Sequence, residues 1–495
     1  MSVISSIIQT FSEEEKRSFV TFLKRKNKRN DTKNIELFKL LDTNEEVKDL
    51  DILIYGKRSK NAYHALSKRL HDNLIDFVAS KSFEGETSEE MEILKLLLSS
   101  RIFFEQKQNK IAFKTLQKAE QKAKTYDLYT ILNEIYYTKI QYAHLSSSLL
   151  LPDLISDFRK NKISIQEEEN LNLFYATVQN QLHQQHADFN TVIKSTLSQF
   201  GISVTQDLTF RSLFKILEIT NKAAQETRDY FTILPFVEEA YSKIMDKEEL
   251  IDKHLFYHIQ ILYYVANAYF RNKDFNTSMH HLSQMKEQML KHQKKYYRRF
   301  FPQYTLLQTL NLNYTGNGEK AIAILENFEE HKYKEQVTYL LDLKLSLIVF
   351  YFQQLRFRDA LNVFNSLYHS DTWYTQKAGV LWVIKKNLVE ILLRIELDHI
   401  DLIESRVNSF RKKHGTYLKQ HGEKRALEFL KLIIEYYRKP EVITTDSFRS
   451  KIKQALIDSR REQEDIFEMS FYAWLQAKAH NNNLYRITLK LLAQT

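Results

Sequence analysis

The sequence predicts an all-α protein: a right-handed α-solenoid of helix pairs with an N-terminal helical module and C-terminal capping helices. Three observations lead there. An average chain of this length would carry roughly 35 Gly and 25 Pro, whereas these 495 residues include 8 and 4. Hairpins and parallel α/β folds consume both residues in their turns. The remaining composition favours helices joined by short polar connections. Finally, one apolar pattern recurs along the chain at intervals near forty residues, the mark of a repeat architecture.

Residues 1–85 lie outside that pattern and form the N-terminal module. Ser12 and Glu15 make an S-x-x-E capping box that starts a helix. A polar basic run, Lys24 to Asn34, separates it from IELFKLL. After Gly56, residues Tyr63, Leu66, Leu70, Leu74 and Phe77 form one apolar stripe at helical spacing. Lys57, Arg58, Lys60, Lys68 and Arg69 lie off it and are the candidate nucleic-acid contacts, in a helix-turn-helix arrangement. The polar stretch Glu84 to Glu90 marks the junction to the repeats.

Residues 86–440 carry the repeat. The type segment is RFRDALNVFNSLYH, Arg356 to His369, with apolar residues at Phe357, Ala360, Phe364 and Leu367. With Ala360 as marker, equivalent positions are Ala112, Leu154, Val192, Ile233, Ser278, Ala321 and Ile403, spaced by 42, 38, 41, 45, 43, 39 and 43 residues in order along the chain. A second amphipathic stretch precedes each marker, as in HIQILYYVANAYFRNKDF before Ser278. Small markers let the two helices of a pair approach closely, which predicts about eight pairs.

Leu262, Val265, Ala266, Tyr269, Phe275, Ser278, Leu282 and Met285 resemble the consensus of the tetratricopeptide repeat, and the segment from Ile348 through Leu367 does nearly as well. The period exceeds that family's 34 residues, and its terminal Pro and the Trp and Gly of the first helix are missing. The N-terminal motif also resembles the starts of bacterial helical proteins of unassigned activity that carry similar repeats. The tetratricopeptide resemblance implies a concave face lined by the first helix of each pair, which binds extended peptides or partner helices. By that resemblance the partner-binding groove comprises Gln260, Tyr263, Asn267, Phe270 and Arg271. Lys215 and Lys222 from the repeat before suit an acidic group, and Gln303 and Leu306 come from the repeat after. Asn267 stands where the family often holds a ligand's backbone.

Residues 441–495 are expected to cover the apolar end of the array. Phe467, Phe471, Trp474 and Leu475 would pack inward, while Lys451, Lys453, Arg460 and Arg461 face water.

Candidate chemistry is sparse. The chain has no Cys, which excludes disulfides, thiolate nucleophiles and zinc–thiolate sites. Gly316-Asn317-Gly318 lacks the Walker spacing and reads as a tight turn. His254 and His258 share a helix face, but Leu255 stands where a zinc hydrolase needs glutamate. The pairs His183/His186 and His280/His281 read as structural in the same way. No enzymatic activity and no cofactor are expected. A net charge of +10 permits acidic partners, and two further basic tracts, Lys291–Phe300 and Phe410–Arg425, interleave cations with aromatic residues. The longest apolar run, Leu345 to Phe352, is far short of the ~20 residues a membrane helix needs. A soluble cytoplasmic scaffold for a protein or peptide partner is the expected function. The alternative is a transcriptional regulator with a nucleic-acid-contacting N-terminal module and a peptide-sensing solenoid.

Overall fold

The structure is a computed structural model describing all residues except 1–2, 10, 12, 27–31, 43–48, 86–88, 147–148, 186–188, 201–209, 228–229, 232, 246–250, 421–423, 458–465 and 494–495. The described residues form helices and short connections, with no strand among them. Contacts divide the chain into two units, Met1–Glu86 with Tyr368–Val383, and Thr87–Leu367 with Ile384–Thr495.

The first unit contains α1 (Val3–Gln9), α2 (Glu13–Lys26), α3 (Lys33–Asp42), α4 (Leu50–Tyr55) and α5 (Lys60–Gly85), joined by α19 (Asp371–Ala378). Ser12 of the expected capping box lies outside the described residues. The α5 stripe behaves as its spacing requires. Leu66, Leu70, Leu74 and Phe77 are buried with Phe19, Leu23, Leu37 and Phe38, and Tyr63 packs at the edge. Phe19 is the hub, with ring centroids 5.0 Å from Phe38 and 5.2 Å from Phe77. Edge-on aromatic pairs of this kind add about 0.5–1.5 kcal/mol each beyond area burial.

The second unit is a succession of helices packed against their sequence neighbours: α6 (Glu89–Glu105) on α7 (Asn109–Thr125), α8 (Tyr129–Tyr142) on α9 (Leu151–Gln185), and α9 on α10 (Phe189–Gln199). It continues with α11 (Phe210–Thr227) on α12 (Leu234–Met245), α13 (Leu255–Arg271) on α14 (Phe275–Lys294), α15 (Tyr297–Tyr314) on α16 (Gly318–Glu326), and α17 (Val337–Gln353) on α18 (Phe357–Asn365). After α20 (Val380–Glu396) come α21 (Ile400–Gln420), α22 (Lys424–Arg438), α23 (Asp446–Ile457), α24 (Ile466–His480) and α25 (Leu484–Ala493).

All eight marker side chains are buried, and Ala112, Ser278, Ala321 and Ala360 are wholly inaccessible. Five of the turns explain why. Lys107, Lys273, Gly316, Leu355 and Asp398 each take the left-handed conformation, with φ of 60°, 65°, 90°, 59° and 55°. In each, the next N–H donates to the carbonyl five residues back: Gln108 to Phe103 (2.8 Å), Asp274 to Tyr269 (3.0 Å), Asn317 to Leu312 (2.9 Å), Arg356 to Tyr351 (2.9 Å) and His399 to Arg394 (2.9 Å). This is a Schellman closure, which satisfies helix-end carbonyls as the chain reverses. The markers Ala112, Ser278, Ala321, Ala360 and Ile403 follow the left-handed residue by five positions each time. The turn therefore fixes which residue meets the preceding helix, and only a small or slender side chain fits there.

The middle of the array departs from that rule. Leu154 lies in the first turn of α9, which runs unbroken for 35 residues, and Val192 lies in α10 beyond its end. The α9 helix packs on α8, α10 and α11, so one long helix serves three neighbours.

Phe471, Trp474 and Leu475 of α24 are buried as expected, and Lys451 is exposed in an ion pair with Glu435 at 2.7 Å. Lys453 is exposed. The Phe467 side chain, Arg460 and Arg461 lie outside the described residues. A chain of three polar bonds, two of them made by this C-terminal pair, ties it to helices far back in the chain. Asn313 donates to Gln353 (2.8 Å), Gln353 donates to Ser470 (3.0 Å), and the Tyr485 hydroxyl donates to the Asn313 carbonyl (2.5 Å). Gly318 sits beneath this contact. A Cβ there would lie 2.5 Å from Gln354 Nε2 and 2.9 Å from the Tyr485 hydroxyl, which explains the second glycine of Gly316-Asn317-Gly318.

A candidate binding face on the first helices of the pairs

The expected groove residues come from α11, α13 and α15, and the structure sorts them into three groups. Phe270, Gln303 and Leu306 are buried. Phe270 packs in a core cluster with Ala266, Leu282, Tyr314 and the C-terminal Leu492, so these three positions offer no open surface.

Lys215 and Lys222 share one carboxylate. Glu218 lies 2.9 Å from the Lys215 Nζ and 3.3 Å from that of Lys222. Burial would raise the Glu218 pKa, but the two ammonium groups outweigh it and hold it below the ordinary carboxylate range. Two cations against one anion leave a net positive charge, and Lys222 keeps 54% of its side chain exposed.

Gln260, Tyr263, Asn267 and Arg271 are partly exposed along α13. Asn267 Nδ2 donates to Asn221 Oδ1 of α11 at 3.2 Å, linking the first helices of neighbouring pairs. Arg271 lies 5.6 Å from the centroid of the Tyr230 ring. Burial, with Tyr339 and Asp342 of α17 nearby, raises the Tyr263 hydroxyl pKa well above 10. Tyr264 is raised likewise, by burial first and then by the Glu218 charge. Burial and Asp342 together push Tyr339 up to about 12. These hydroxyls stay neutral at physiological pH and act as hydrogen-bonding groups.

Sequence reading missed Glu218, Asn221, Tyr264, Tyr339 and Asp342. Glu218 had a signal, since it stands three residues after Lys215 and four before Lys222. Tyr339 and Asp342 had none, because only the stacking of α17 beyond α15 brings them near Tyr263.

The tract Lys291–Phe300 is largely consumed internally. Lys291 pairs with Asp252 at 2.6 Å, Lys295 with Glu89 at 2.7 Å, and Arg298 with Glu335 at 3.1 Å. The buried Tyr296 hydroxyl also bonds Glu89. The backbone leaves the right-handed helix at Lys291, His292 and Gln293, which re-aims the tract toward α6. In the tract Phe410–Arg425, Phe410 is buried and its ring lies 5.2 Å from that of His414.

His254 and His258 are buried, 1% and 4% exposed. His254 stacks on Phe210 with centroids 4.9 Å apart and lies 3.7 Å from Asp127. His281 is buried in an aromatic setting, its ring stacked 5.5 Å from Tyr269; the His183 side chain and His186 lie outside the described residues. Among the described residues no group of three metal-ligating side chains gathers, and no helix is long and apolar enough to cross a membrane. No family model matches the chain, and no curated protein matches it significantly.

Proposed function

We propose that the protein is a non-enzymatic interaction scaffold: a right-handed, tetratricopeptide-like solenoid that binds a peptide or partner helix on the α11–α13 face. The Asn267–Asn221 pair carries this reading. Their mutual hydrogen bond leaves the Asn267 Oδ1 acceptor and the Asn221 Nδ2 donors without a partner among the described residues. One acceptor beside one donor matches the needs of a ligand peptide group. Tyr263 and Gln260 then flank the backbone on one side and Arg271 on the other. The excess positive charge at Lys215 and Lys222 favours an acidic residue in the ligand. The position of these side chains on the first helix of each pair agrees with the way helical repeats present ligand-binding surfaces.

The test is a triple variant of the full chain, Lys222→Ala/Tyr263→Ala/Asn267→Ala, compared with the wild type by cross-linking in the native host and mass spectrometry. The expected result is loss of a defined partner from the variant's cross-links. An unchanged partner set at wild-type melting temperature ends the reading.

A further inference from the structure

The N-terminal unit gathers five cations around one turn. Lys57 and Arg58 lie in the connection between α4 and α5, and Lys60, Lys68 and Arg69 follow on α5. All five are exposed. No acidic residue occurs from Lys57 through His71. Among the described residues, Lys57, Arg58, Lys60 and Lys68 form no hydrogen bond or ion pair, in contrast to the neutralised tract at Lys291–Phe300.

The turn that presents them is fixed from within. Gly56 adopts φ 69°, and its N–H donates to the Ile52 carbonyl at 2.8 Å. The Ser59 N–H donates to the buried Asp51 carboxylate at 2.9 Å. The Tyr55 hydroxyl donates to the Ala62 carbonyl at 3.1 Å. On α5, Leu66, Leu70 and Leu74 face the core, which leaves Lys60, Asn61, His64, Ala65 and Lys68 exposed on the opposite side at spacings of one, three and four. The outer face thus combines uncompensated charge, two side chains able to read base edges, and a small residue between them.

We propose that this face binds duplex DNA, with the outer side of α5 in the major groove. Lys57, Arg58, Lys60 and Lys68 contact phosphates, which supplies affinity without sequence preference. Asn61 and His64 reach base edges, where an asparagine amide pairs with adenine. Ala65 allows the helix to approach the groove floor. An A-form RNA duplex, with its deep and narrow major groove, would not admit the helix. This inference is independent of the α11–α13 face.

The test measures binding of the full chain to a short mixed-sequence DNA duplex by fluorescence anisotropy across a salt series. Four phosphate contacts give a slope of about −3.6 in log K against log salt, or roughly a hundredfold loss of affinity between about 50 and 200 mM. The variant Lys57→Ala/Arg58→Ala/Lys60→Ala/Lys68→Ala should lose most of that slope, whereas Arg298→Ala should keep it. Lys68→Gln alone, which leaves the turn untouched, should lower the slope by about one and decides the matter should the quadruple variant melt early. Asn61→Ala/His64→Ala should keep the slope and flatten any preference among selected sequences. No binding at low salt, an unaltered slope in Lys68→Gln, equal affinity for an RNA duplex, or capture of polyglutamate or anionic vesicles in place of DNA would each overturn the proposal.

Discussion

The hairpins α13–α14, α15–α16 and α17–α18 are held together mostly by apolar side chains between helices adjacent in sequence. The C-terminal pair α24–α25 meets α15 and α17 differently. There Asn313, Gln353, Ser470 and Tyr485 join in a buried polar chain, and Trp474 and Lys478 both bond Glu396, at 2.5 and 2.8 Å. A third junction, between α6 and the start of α15, is also polar, built on Glu89 with Lys295 and Tyr296. Local contacts rest on shape, and distant ones add directed bonds to the apolar packing of residues such as Met469 and Leu492. Apolar seams tolerate exchanges of similar volume. A buried polar group left without its partner is penalised by its full desolvation cost. The long-range junctions should therefore be the more selective part of the fold and the more sensitive to solution conditions.

Acid should test that contrast most strongly. Burial lowers the His254 pKa to about 4, with Lys253 adding to the effect. His258 also falls to about 4 through burial and Lys291, although Asp252 and Gln288 oppose this. Below about pH 6.5 the unfolded chain takes up these protons while the folded chain refuses them, so stability is complete above that pH and falls as the pH drops toward 4. Each histidine then removes about 2–3 kcal/mol by pH 4.5. The urea midpoint of the wild type should drop steeply between pH 7 and 4.5, and that of His254→Phe/His258→Leu should drop much less. Equal losses in both proteins would show that other groups set the acid response.

Gln353→Ala strikes the C-terminal junction and the Asn313 bond that leads into it. It strands the buried Asn313 amide donor, at a cost of about 1–3 kcal/mol, and removes the bond that Gln353 donates to Ser470. Limited proteolysis should then cut ahead of α24 and leave the preceding hairpins resistant. If the whole unit is digested together, the polar junction is as integral as the apolar seams and the contrast fails.

The same contrast explains what the sequence made legible. Apolar seams repeat, so Ser278, Ala321 and Ala360 announced themselves through spacing, and all three are buried. The reason for that spacing was hidden, because it lies in turns whose left-handed residues are Lys, Leu and Asp more often than Gly. Polar junctions leave no periodic trace. Nothing in the sequence near Glu89 points to Lys295, 206 residues on, or joins Tyr368–Val383 to the N-terminal unit. In the candidate face, the resemblance named Gln260, Tyr263, Asn267 and Arg271, which are partly exposed, together with Phe270, Gln303 and Leu306, whose burial depends on neighbouring helices that the local sequence does not reveal.

The smallest expected effect isolates the turn itself. Leu355 and Gly316 occupy equivalent places in adjacent pairs, with φ of 59° and 90° and the same closing hydrogen bond after them. A leucine pays a steric penalty in this region of backbone space and a glycine does not. Leu355 is 51% exposed, so little packing is lost on removing its side chain. A Cβ at Gly316 would meet only Leu489 Cδ1, at 3.9 Å, so its substitution tests backbone conformation and not space. Leu355→Gly should stabilise the protein by about 0.5–1 kcal/mol, and Gly316→Ala should destabilise it by about 1 kcal/mol. The two urea midpoints should move in opposite directions. Movement in the same direction would mean that the two turns, despite their matching bonds, are held by different forces and that the repeat is one of pattern without shared energetics.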